Sequence, residues 1–183
     1  MLALGECFGE EEGRIARNVW QTCRLTELFM TSPIEQKLAD LGVVLPTPTP
    51  PLANYVPVVG SGKLLFISGQ VSIDAAGKVI TGKLGGGVDI ETGRAAAKLC
   101  AINILAQAKA ALGDLEKIRR LVKINVFVAS APGFAEQHLV ANGASDLLAE
   151  VLGERGKHAR AAVGMAALPL NAAVEIDAVI EVE

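Results

Sequence analysis

Polar and apolar residues alternate most cleanly near the end of the chain. Val174, Ile176, Ala178, Ile180 and Val182 fall on one side of an extended strand, and Glu175, Asp177 and Glu181 fall on the other. The stretch Ala159 to Pro169 reads as the strand before it with a Pro-containing connection. One Arg opens the first strand and one Glu opens the second, so pairing of the two would bring Arg160 and Glu175 toward one end of a small sheet. The pattern alone allows an exposed ion pair on a solvated face, or a guanidinium placed to hold a carboxylate.

Earlier segments follow the same logic. Tyr55–Val59 and Leu64–Ser68 flank Gly60-Ser61-Gly62-Lys63, a hairpin signature, and alternation resumes at Val71–Ile73. Gly69 inside a strand pattern marks a bulge or a close approach of backbone, to a ligand or to a neighbouring strand. Leu84-Gly85-Gly86-Gly87-Val88 lacks the spacing of a phosphate loop and reads as a flexible link. The longest helix, Ile90 to Leu112, carries an apolar stripe through Ala97, Cys100, Ala101, Ile104, Leu105 and Ala108. Cys100 on that stripe reads as a small packed hydrophobe. Arg119 to Ser130 alternates as a strand with Val122, Ile124, Val126 and Val128 on the buried side. A second amphipathic helix spans Phe134 to Leu152. His158, in the loop after it, reads as a solvated residue.

Strands interleaved with two helices predict an α+β layer: one mixed sheet with both helices on one face. The other face is too apolar to be left in water, so association of subunits through it is expected. Ahead of this layer, Ser32-Pro33-Ile34-Glu35 predicts a capped helix from Pro33 to Leu41 that stops at Gly42. Pro46 to Pro51 is an extended connector. Residues 1–29 differ in character, holding Trp20, Cys7, Cys23 and an acidic run. They read as an extension outside the fold, with Met30 as a possible native start. The expected organisation is therefore an extension (1–29), a helix with connector (30–51) and an α+β domain (52–183).

Composition narrows function more than fold. The 183 residues are 51% apolar and 20% charged, with a net charge of −3. Without grouped Lys and Arg to neutralise phosphates, no nucleic-acid surface is expected. No apolar run reaches the roughly 18 residues of a membrane span, and acidic residues interrupt the N-terminus before a secretory core forms. Three widely spaced cysteines and two histidines (His138 and His158) form no metal-ligand pattern, which suits free thiols in the cytoplasm.

Tyr55, Ser68-Gly69-Gln70, Ala159-Arg160 through Leu168-Pro169, and Val174-Glu175-Ile176 together closely resemble the RidA/YjgF reactive-intermediate deaminase family, from Leu52 to Glu183. The resemblance implies a chorismate-mutase-like α+β fold and a homotrimer with sites in clefts between subunits. It also implies hydrolysis of 2-imino or 2-enamino acids to 2-keto acids and ammonia without cofactor or metal. Residue by residue, it makes Arg160 the binder of the substrate carboxylate and Glu175 the group that handles the attacking water. Tyr55 would line the cleft, Ser68 and Gly69 would bring backbone to the ligand, and Asn142 would match an Asn on the second helix. Ala162 stands where many members have Cys, and Gly164 where many have a larger residue. The N-terminal helix resembles a divergent branch in which activity is not generally established.

These residue types suit that chemistry. Arg offers a planar fork of donors that matches a carboxylate, and an ionised Glu can take a proton from water. A non-catalytic trimeric module could use the same Arg to bind small carboxylates, or bind a protein partner instead. Rearrangement of a dicarboxylate would demand further cations than Arg160 in these strands.

Overall fold

The computed structural model of the chain describes residues 32–48 and 54–183. Cys7, Trp20, Cys23, Met30 and the end of the Pro-rich connector lie outside the described residues. Eight elements follow in order: α1 (Pro33–Asp40), β1 (Val58–Ser61), β2 (Leu64–Val71), α2 (Ile90–Leu112), β3 (Ile118–Ala129), α3 (Gln137–Leu152), β4 (Ala159–Met165) and β5 (Val174–Val182).

The strands form one mixed sheet in the order β1-β2-β5-β3-β4. Strand β5 takes the centre, antiparallel to both β2 and β3, while β4 runs parallel to β3 at the edge. The last two strands are therefore not neighbours. A parallel pair needs a crossover, and α3 supplies it between β3 and β4. The chain then passes the end of β3 to reach the middle of the sheet, bonding on the way from Ser130 N–H to the Met165 carbonyl (3.0 Å) and from Ala129 N–H to the Ala173 carbonyl (2.9 Å).

Alternation sorts the two faces as expected for β5. Val174, Ile176, Ala178 and Ile180 are buried beneath the helices. In β3 the expected phase holds for Ile124, Val126 and Val128 but fails earlier. A register shift between Leu121 and Lys123 absorbs Val122, so Leu121 is buried in its place.

Helix α2 begins at Asp89, whose carboxylate accepts the Thr92 N–H at 2.7 Å, and ends at Gly113 in the left-handed region (φ 76°). By length and composition it could cross a membrane, yet Ala96, Ala97, Cys100, Ala101, Ile104, Leu105 and Ala108 are all buried in the core. The Cys100 thiol lies 3.4 Å from the Val174 carbonyl, and burial pushes its pKa well up, so it packs as an inert small group. Two glycines let α2 and α3 touch. A Cβ on Gly143 would overlap the backbone of Arg94, and one on Gly93 would press on Leu84 and Val140.

Leu84 overturns the reading of its Gly-rich surroundings as a flexible link. It is fully buried, with its N–H bonded to the Ala129 carbonyl and its carbonyl to the Ala131 N–H, both within 2.9 Å. The adjoining glycines provide the turns that return the chain to the sheet. Helix α1 joins the same core through Ile34 and Leu38. Its first N–H group, that of Ile34, finds a partner in Glu116, which accepts from it at 3.0 Å and from Arg155 Nη2 at 2.9 Å.

Candidate functional site

A bulge in β2 creates the first half of the site. Ile67 pairs with Ala178 and Gln70 with Ile176, so Ser68 and Gly69 together oppose one residue, Asp177. The bulge is tied down on both sides. Ser68 N–H bonds to the Pro57 carbonyl at 2.9 Å, and Gln70 Nε2 donates back to the Ser68 carbonyl at 3.0 Å. Tyr55 is exposed and lies two residues before Pro57, at this same end of the hairpin.

Glu175 sits beside the bulge on the open face of the sheet, opposite Val71 on one side and Phe127 on the other. Its carboxylate occupies the space above Gly69, where a Cβ would collide with Oε1. Gly69 is therefore required by the carboxylate and not by its own backbone conformation. Desolvation by these neighbours raises the Glu175 pKa, and the charge of Asp177 adds to the rise. Asp177 is itself held by Asn125 Nδ2 at 2.7 Å.

Substituting Ala at Gly69 should displace the Glu175 side chain while leaving the backbone in place. We expect the Glu175 pKa, read by NMR titration, to fall back toward that of an ordinary carboxylate as the group leaves its desolvated position, with stability changed by under about 0.5 kcal/mol. A Gly69→Ala chain in which Glu175 titrates as in the wild type would show that the carboxylate does not depend on the space above Gly69.

Arg160 builds the second half from β4. Its register partner is Ile124, a buried residue of the helix-covered face, so its side chain leaves the sheet on that side. There it meets α3. Nη1 donates to Asn142 Oδ1 and to Ser145 Oγ, each at 3.0 Å, and Nη2 to the His138 carbonyl at 3.4 Å. Arg160 as a whole remains an exposed residue.

The structure thus brings Glu175 together with Ser68 and Gly69, and Arg160 together with Asn142, but it keeps the two groups apart. Across the sheet Arg160 is level with Ala178, three residues from Glu175 and separated from β5 by β3. That separation is roughly 10 Å across and about 10 Å along the strands, and the two side chains leave opposite faces. No ion pair joins them, which corrects the reading of a surface pair between the last two strands. Two cavities of about 170 and 250 Å³ lie along α2 near Pro46, Ile73 and Asn103, and neither is lined by Arg160 or Glu175.

His158 also departs from expectation. It is half-buried with both ring nitrogens engaged, Nδ1 at 2.6 Å from the Gly156 carbonyl and Nε2 at 3.0 Å from Ser145 Oγ. The sequence did contain a signal for this. His158 and Arg160 are two apart at the start of a strand, and Asn142 and Ser145 three apart on a helix, so each pair shares a face. Among the described residues no group of His, Cys, Asp and Glu could hold a metal ion.

A family model described as Endoribonuclease L-PSP matches residues 47–182. Protein TCP17 of Trypanosoma cruzi is 50% identical over 149 residues, 81% of this chain and 93% of that protein. The crystal structure of Atu1372 from Agrobacterium tumefaciens, a protein of unknown function, is 58% identical with a TM-score of 0.78, covering 82% of this chain and 93% of that one. RidA from an Antarctic Psychrobacter is 28% identical with a TM-score of 0.53, covering 74% and 94% of the respective chains.

Proposed function

Because this chain belongs to the endoribonuclease L-PSP family, the RidA/YjgF group, we propose that it hydrolyses reactive 2-imino and 2-enamino acids to 2-keto acids and ammonia, in clefts between copies of itself. The observation that carries this reading is the division of the site by the sheet. An anchor on one face and a base on the other do not meet within one chain, which supports a site completed by a second copy. The open face is suited to that contact, with Phe66, Val59, Val163 and Met165 exposed on it. Three copies closing in a ring would satisfy every such face.

In the assembled cleft, Arg160 of one copy holds the substrate carboxylate and fixes the plane of the adjacent imine. Glu175 of the other takes a proton from water as that water attacks the imine carbon. The C–O bond forms as the C=N π pair moves to nitrogen, and Glu175 returns its proton to that nitrogen to give the carbinolamine. The carbinolamine hydroxyl proton then passes by way of Glu175 to the amine, which leaves as ammonia as the C=O bond of the ketone forms. An imino acid is already electrophilic, so positioning and one base are sufficient help. A small carboxylate fits better than an RNA strand, because Glu175 and Asp177 side by side would repel phosphodiesters in a chain of net charge −3.

Mixing tests both the chemistry and the shared cleft. Arg160→Ala chains and Glu175→Gln chains are each expected to be nearly inactive on imines generated in situ from threonine. Unfolded and refolded together, they should regain activity, since some interfaces then pair an intact Arg160 with an intact Glu175. Hybrids no more active than the parents would exclude a site shared between copies. A wild-type protein no faster than buffer would exclude the deaminase reading and leave a carboxylate-binding module.

A further inference from the structure

Behind Arg160 runs a chain of hydrogen bonds whose direction can be worked out atom by atom. The Gly156 carbonyl can only accept, so His158 Nδ1, 2.6 Å away, carries the proton. In the neutral ring Nε2 is then an acceptor, and the Ser145 hydroxyl 3.0 Å away donates to it. With its proton committed, Ser145 Oγ turns lone pairs toward Arg160, whose Nη1 donates at 3.0 Å. Asn142 Oδ1 accepts from the same nitrogen.

The neutral ring this requires is favoured by its setting. Burial lowers the His158 pKa; the Gly156 carbonyl opposes that shift, and the Arg160 charge adds to it. The backbone is arranged to keep the ring there. Gly156 is buried, and a Cβ on it would overlap the Leu148 carbonyl, so the turn carrying His158 is pressed directly onto α3.

We propose that Ser145 and His158 are positioning residues that hold the Arg160 guanidinium in the orientation in which its free edge receives a carboxylate. This rests on Arg160 being the carboxylate anchor. A long Arg side chain at an exposed position would otherwise lose considerable rotamer freedom on binding. The relay imposes that order beforehand, so the ligand does not have to. Asn142 holds one hydrogen of Nη1 and the His138 carbonyl, at 3.4 Å, one of Nη2; Ser145, itself fixed by His158, takes the second hydrogen of Nη1 and so sets the plane of the fork.

Pyruvate, a small 2-keto acid, is the probe, titrated calorimetrically into the assembled protein. Ser145→Ala and His158→Leu should each weaken binding about tenfold, as expected for loss of a hydrogen bond to a charged group. The double variant should be no weaker than the worse single, because both act through one nitrogen. Ser145→Thr, which keeps the hydroxyl, should recover most of the loss, and in the imine assay the defect should lie in KM. Arg160→Ala separates the two ideas. If it binds pyruvate like wild type, the anchor reading itself fails. If it abolishes binding while Ser145→Ala retains wild-type affinity, the anchor stands and the positioning inference is overturned. Equal losses in Ser145→Thr and Ser145→Ala, or additive losses in the double variant, would overturn it too. Should His158→Leu fail to fold, Ser145→Ala carries the test, since it removes a single oxygen from a half-buried helix position.

Discussion

Exchanging Glu175 for Gln should slow imine hydrolysis by about 10²–10⁴-fold, the usual contribution of a general base, with fold and assembly intact. Gln fills the same space above Gly69, so packing gives no reason for a loss. The pH profile provides the sharper check. In the proposed mechanism the base works ionised, and the Glu175 pKa is raised, first by burial and then by Asp177. As pH falls, the wild type should therefore lose activity at a higher pH than an ordinary carboxylate would impose. That acid limb should vanish from the residual rate of Glu175→Gln. A limb that persists unchanged in the variant would assign it to another group and remove Glu175 from the proton transfer.

The second large effect falls on stability. Gly143→Ala places a methyl group against the Arg94 carbonyl, backbone against backbone, where no side chain can swing aside. Both helices are already seated on the sheet, so separating them opens the core. Overpacking of this kind costs about 3 kcal/mol. At about 2–4 °C per kcal/mol for a domain of this size, the melting temperature should fall by roughly 6–12 °C. Circular dichroism melts would read this directly. A shift below about 2 °C would mean that the crossing yields without cost. Asn142 is the preceding residue, so a weakened grip on Arg160 should accompany the loss.

Elements whose burial is decided along their own length were legible in the sequence. Strand β5 alternates because one face is covered and the other is not, and the α2 stripe of small residues records close packing on the sheet. Strand order was not legible. It depends on which remote segments pair, and nothing in Ala159–Met165 states that its neighbour is β3 and not β5. The slip at Val122 was equally hidden, since a bulge reverses phase without altering the apolar character of the run. At the site, Arg160, Glu175, Ser68 and Gly69 were named from family resemblance, and their division between two faces required the topology. His158 was misread because its spacing from Arg160 was visible but its partner Ser145 lies on the preceding helix, and the pairing of those two short patterns appears only once α3 folds back across the edge of the sheet.

The position of β5 also bears on how the molecule is made. The last strand in the sequence is the middle strand of the sheet, so during synthesis the hairpin β1-β2 and the unit β3-α3-β4 emerge first with a vacancy between them. Two inner edges, one on β2 and one on β3, stay unpaired until β5 has been made. Exposed edges of this kind invite pairing with other chains. Completion of the fold is thus a single late insertion that buries Val174, Ile176, Ala178 and Ile180 together, and that same step delivers Glu175 to its place above Gly69.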